Sequence, residues 1–109
     1  MDIRIKNKKT YQGEGFYIGR PSPLGNPFKV TKYTSREEAI NQYENWILRK
    51  ILQEDKEILE YLHILFANLI RHSQLNLICW CSPKPCHGDI IKKLLEHKYY
   101  YGVYTRKGE

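Results

Sequence analysis

The stretch that most constrains the fold is residues 75–97. Its first part, LNLICWC at 75–81, is short, largely apolar and rich in strand formers, as a buried strand would be. Pro83 and Pro85 then stiffen a loop, and Cys86, His87, Gly88 and Asp89 follow at the predicted start of a helix. Ile90, Ile91, Leu94 and Leu95 recur at helical steps and predict that helix over residues 88–97. A buried strand feeding a helix through a stiff loop is the repeating unit of α/β domains.

The rest of the chain extends the pattern. DIRIK at 2–6 alternates polar and apolar and predicts a strand, and FYIGR at 16–20 predicts another. Between them, QGEG at 12–15 carries turn chemistry. Ser35 and Glu38 have capping-box spacing ahead of Ala39, Ile40, Tyr43, Trp46, Ile47 and Ile51, which predicts a helix over residues 36–52. Asp55 caps a second helix, whose stripe of Leu59, Leu62, Leu65, Phe66, Leu69 and Ile70 runs to about His72. Residues 99–105, YYYGVYT, favour a last strand. The expected architecture is one α/β domain over residues 1–109, with a mixed or partly parallel sheet, three helices and Rossmann-like strand–loop–helix units in two or three layers.

Composition narrows the class. Hydrophobic residues at 41% and charged residues at 28% are a globular balance, which argues against disorder. No apolar run approaches the ~20 residues that span a bilayer, and residues 1–10 lack the apolar core of a signal peptide, so a cytoplasmic protein is expected. In that compartment three cysteines read as thiols or metal ligands rather than a disulfide framework. The net charge of +6 is scattered, with small clusters at Lys6, Lys8, Lys9 and at Arg106, Lys107. It fits attraction of nucleic acid, nucleotides or other anions as well as it fits a solvated surface.

Two loops carry candidate chemistry. PSPLGNPF at 21–28 has three prolines plus Gly25 and Asn26, a constraint beyond what a plain connection needs. CWCSPKPCHGD at 79–89 is the richer. Alternation places Cys79 and Cys81 on one face of a strand and Trp80 on the other. The helix beginning near Gly88 offers free N–H groups and a positive dipole end that suit a phosphate or carboxylate and would lower the Cys86 pKa. Gly88 allows close approach of a ligand, and Asp89 suits a cap, a sugar contact or a base. Four readings stay open: an anion or nucleotide site; zinc held by Cys79, Cys81, Cys86 and His87; Cys86 as a nucleophile; and plain core and caps. Zinc is disfavoured, because the spacing departs from Cys-x₂-Cys and Cys79 sits on a buried strand. His63, His72 and His97 fall on helices or their ends and read as surface residues.

YIGRPSPLGNPF at 17–28, SREEAI at 35–40, Tyr43 and CWCSPKPCHGD at 79–89 closely resemble the family called domain of unknown function 4326, over about residues 3–96. The strand-to-Cys-His layout is also similar to domain of unknown function 488, where Arg follows the Cys-His pair. The first resemblance implies a small stand-alone protein of the kind carried by phages and mobile elements, located in the host cytoplasm if viral, and implies no particular activity.

The expected function is binding, with or without hydrolysis, of a nucleotide or nucleotide-derived anion between residues 20–28 and 81–89. Gly19, Arg20, Gly25, Asn26, Pro27, Cys81 and Gly88 are the expected ligand-binding residues, and Cys86, His87 and Asp89 the expected catalytic ones. No cofactor, metal or membrane is expected. A small basic nucleic-acid-binding module without catalysis and a viral protein aimed at a host factor remain as alternatives, and a homodimer stays open.

Overall fold

The computed structural model describes residues 2–82 and 84–97. The chain runs β1 (Asp2–Asn7), β2 (Phe16–Tyr17), α1 (Arg36–Leu52), α2 (Lys56–His72), β3 (Gln74–Cys79) and α3 (His87–Glu96). This is the expected single α/β architecture with three helices. The sheet is ordered β1-β3-β2, and β3 pairs parallel with both neighbours. The strand expected over 99–105 lies outside the described residues.

Sequence dictates each helix start. The Ser35 hydroxyl accepts from the Glu38 N–H at 3.1 Å, and Asp55 Oδ1 accepts from the Ile58 N–H at 3.1 Å. Each satisfies a backbone donor that the first turn leaves unpaired. Cys86 and Asp89 close α3 reciprocally. The Cys86 Sγ accepts from the Gly88 N–H at 3.3 Å, while Asp89 Oδ2 accepts from the Cys86 N–H at 3.1 Å.

Strand side chains alternate as the pleat requires. Ile3, Leu75, Leu77 and Cys79 are buried on the face that the helices cover, whereas Arg4, Asn76 and Ile78 are not buried. Tyr43, Ile47, Leu62, Leu65, Leu69, Ile91 and Leu95 complete the core from the helices, and all are fully buried. Among the described residues, no helix is long and apolar enough to cross a membrane.

Two strands are shorter than the sequence suggests. β2 stops at Tyr17, after which the Ile18 N–H makes one more bond to the Ile78 carbonyl and Gly19 opens a turn whose carbonyl accepts from Ser22 at 2.8 Å. β3 stops at Cys79 and does not continue to Cys81. Alternation ends with the ladder, so Trp80 and Cys81 are no longer forced to opposite faces. Both reach the same cleft.

Candidate functional site

All three strands are parallel, so Asn7, Tyr17 and Cys79 end at one edge of the sheet. Loops leaving such ends form the binding crevices of α/β folds. A cleft of about 340 Å³ opens there, walled by residues of 17–30 and 80–87 and by the first turns of α1. That volume is at the small-ligand end of the usual range.

The loop after β2 is held rigidly from beneath. Ile18 and Leu24 are completely buried, and the Tyr43 hydroxyl donates to the Leu24 carbonyl at 2.7 Å. Tyr61 donates its hydroxyl to the Tyr17 carbonyl, and burial raises its pKa. The Arg20–Pro21 peptide bond is cis. Asn26 spends both ends of its amide internally: Oδ1 accepts from the Phe28 N–H at 2.8 Å, and Nδ2 donates to the Ala39 carbonyl at 3.4 Å. Gly25 is buried against Arg20; a Cβ there would lie 2.8 Å from the Arg20 nitrogen.

The loop after β3 is tied to β1. Asn7 Nδ2 donates to the carbonyls of Trp80 (3.1 Å) and Ser82 (2.7 Å), and the Ser82 hydroxyl donates to the Ile5 carbonyl at 3.0 Å. Trp80 is half exposed, yet its ring is fixed. Its Nε1–H donates to the Tyr17 hydroxyl at 2.9 Å, and that hydroxyl donates to the Arg20 carbonyl at 2.7 Å. The Lys8 ammonium lies 5.1 Å from the Tyr17 ring centre and 5.9 Å from that of Trp80. Arg36, in the first turn of α1, donates to the Pro85 carbonyl at 3.3 Å and so joins this loop to the helix.

His87 is buried, and its Nε2 lies 2.6 Å from the Ile18 carbonyl. A carbonyl only accepts, so Nε2 carries the proton and Nδ1 keeps its lone pair. Burial pushes the His87 pKa down, against the pull of that carbonyl. The Tyr43 ring packs edge-on at 5.1 Å. His87 is therefore a neutral imidazole bridging the two loops.

The thiols reverse one expectation. Cys86 was expected to be the low-pKa thiol on the strength of the helix dipole. Instead, Cys79 and Cys86 lie sulfur to sulfur at 3.4 Å. The hydrogen bond with Cys86 is the main cause that lowers the Cys79 pKa to about 6, and the backbone N–H groups of Cys81 and Ser82 add to it. The hydrogen bond with Cys79, followed by burial, pushes the Cys86 thiol up. Among the described residues, no three His, Cys, Asp or Glu side chains gather as metal ligands would.

The structure thus brings Gly19, Arg20, Asn26, Cys81, Cys86 and His87 to one cleft. Gly25, Pro27, Gly88 and Asp89 are absent from its wall. Gly88 is packed against Ile18 and Ile5, with no room for a ligand at its Cα, and its N–H is taken by Cys86. Asp89 is exposed and occupied as a cap, which leaves it no geometry for a base in the cleft. Sequence reasoning missed Tyr17, Lys29, Arg36 and Trp80 in the wall, and Asn7 behind it. The rule that ligands gather at carboxyl ends would have pointed to Asn7 and Tyr17, once all three strands were taken as parallel.

A stretch of 65 residues, 60% of this chain and 53% of the relative, is 34% identical to the "Uncharacterized 12.4 kDa protein in nrdA-td intergenic region" of Enterobacteria phage T4. The chain therefore spans about half the length of that relative. No solved structure matches. The model of the domain of unknown function DUF4326 matches residues 2–97, and the chain belongs to that family.

Proposed function

We propose that this protein binds a nucleotide or nucleotide-derived anion in the cleft between residues 20–28 and 81–89. One observation carries this reading. The wall holds Arg20, Lys29 and Arg36 together with Tyr17, Phe28 and Trp80, and no carboxylate among the described residues. Three cations without a counter-charge attract an anion, and guanidinium groups can fork onto phosphate oxygens. Flat aromatic walls suit the base of the same ligand. Arg36 has a neutral carbonyl as its partner, so its charge is not neutralised by that contact.

Binding is the part that the geometry supports best. Hydrolysis would fall to His87 as the base, through its Nδ1, and to Cys86 or Cys81 as nucleophiles, since Asp89 is engaged elsewhere. Thermal-shift measurements with nucleoside mono-, di- and triphosphates at millimolar concentration test the reading. A ligand at a hundred times its Kd stabilises the folded state by about 2.7 kcal/mol, a shift that is easily read. A nucleotide should raise the melting temperature more than inorganic phosphate does. No stabilisation by any of them defeats the proposal. Salt-dependent affinity for single-stranded nucleic acid, with no response to mononucleotides, would favour the nucleic-acid module instead.

A further inference from the structure

Cys79 and Cys86 are not needed for anion binding, yet their placement is specific. Cys79 ends the central strand and Cys86 caps the following helix. Their sulfurs meet at 3.4 Å, in the core and across a loop of six residues. A disulfide needs about 2.05 Å between sulfurs. The Gly88 N–H donates to the Cys86 sulfur at 3.3 Å and holds it beside its partner. Cys86 borders the cleft, where it is 4% exposed, and Cys79 is 1% exposed, so the cleft side is where an oxidant would meet the pair.

We propose that Cys79 and Cys86 form a hydroperoxide-reactive dithiol that closes to an intramolecular disulfide, with Cys86 the attacked and Cys79 the resolving thiol. In the first step, the Cys86 sulfur attacks the terminal peroxide oxygen as its proton passes to the Cys79 thiolate. The O–O bond breaks, and the departing alkoxide takes a proton from water and leaves as an alcohol. Cys86 is then a sulfenic acid and Cys79 a thiol. In the second step, the Cys79 sulfur attacks Cys86, the S–O bond breaks, and the hydroxide leaves with the Cys79 proton as water. One thiol and one thiolate are oxidised by two electrons, and with one proton from solvent the hydroperoxide is reduced to an alcohol and water. With hydrogen peroxide as the oxidant, both products are water. Cys81 is outside the proposal, because the sulfur-to-sulfur contact joins Cys79 and Cys86.

The test treats the folded full-length chain with hydrogen peroxide. Free thiols are then alkylated under denaturing conditions; after reduction, a second alkylating reagent is applied. Of the three cysteines, Cys81 alone should carry the first label, and Cys79 and Cys86 the second. Intact mass should fall by two hydrogens without dimer formation. Cys81→Ser should still lose two hydrogens, whereas Cys79→Ser should stop at the oxygen adduct of Cys86. The wild-type map stands even if a variant fails to fold. First label on all three cysteines, under peroxide that fully oxidises free cysteine, overturns the proposal. So does a bond that contains Cys81 or joins two chains.

Discussion

Two cavities sit at opposite ends of the same sheet, and the larger is the poorer candidate. The cavity at the amino ends of β2 and β3 measures about 590 Å³, against about 340 Å³ at the carboxyl ends. It is lined by Glu14, Phe16, Asn68, His72 and Gln74 among others, with no lysine or arginine among the described residues. The smaller cleft concentrates cations, fixed aromatic rings and a buried histidine. Volume measures how loosely loops close over a sheet edge. Function requires polar groups that converge, and the carboxyl ends of parallel strands supply them.

The sharpest way to break this contrast is to strip the charge from the smaller cleft. Arg20→Ala and Arg36→Ala should each weaken nucleotide binding by about 1.5–3 kcal/mol, the usual worth of a hydrogen bond to a charged group, or roughly ten- to a hundred-fold. Isothermal titration reads this directly. Glu14→Ala and His72→Ala, in the other cavity, should leave the affinity unchanged. An equal loss from both sets would erase the distinction.

Gly25→Ala comes next. Its Cβ would fall 2.8 Å from the Arg20 nitrogen and 2.9 Å from the Arg20 Cα, so the backbone that presents Arg20 must shift. Overpacking of this kind typically costs about 1–3 kcal/mol. Chemical denaturation should register that loss, and nucleotide binding should weaken in whatever variant remains folded. Unchanged stability would mean that the loop is softer than its hydrogen bonds imply.

His87 gives a pH test. Burial lowers its folded pKa below the unfolded value of about 6.5, so the unfolded chain binds the extra proton more readily. The stability contributed by neutral His87 is fully present above the unfolded pKa and is lost as pH falls through and below it. Denaturation midpoints should therefore decline on acidification below about pH 6.5. His87→Gln should flatten that part of the profile. A wild-type profile that is flat from pH 7 to 5 would remove His87 as the buried bridge between the loops.

Asp89→Asn should have the smallest effect. Loss of a negative charge from the first turn of α3 costs about 0.3–1 kcal/mol, and nucleotide affinity should be retained because Asp89 lies off the cleft wall. A large fall in affinity with stability intact would return Asp89 to the site.

Local physics made much of the fold legible. The Ser35 cap and the apolar stripe behind it place α1 at Arg36–Leu52, where the sequence predicts it. The Asp55 cap and its stripe do the same for α2. These signals lie within a few residues of the structure they specify. The cleft was only partly legible, because its parts meet through pairing that no local pattern encodes. Asn7 reads in sequence as a spacer among lysines, but the parallel register sets it opposite Cys79. Arg36 reads as an interior residue of a capping box until the fold brings Pro85 beside it. Cys86 was misjudged for a related reason: the helix dipole is visible from sequence, whereas the Cys79 sulfur beside it is not.

The strand order has a consequence for how the molecule comes into being. β1 and β2 do not pair; each waits for β3, which is made after about two-thirds of the chain and inserts between them. A nascent chain that ends before residue 74 has two strands with no partner and two helices with no sheet to cover. The Asn7 amide that braces the site reaches across 73 residues to Trp80. Long-range closure of this kind slows folding relative to a hairpin-built sheet. Neither the full sheet nor the cleft at its carboxyl end can close before β3 is in place.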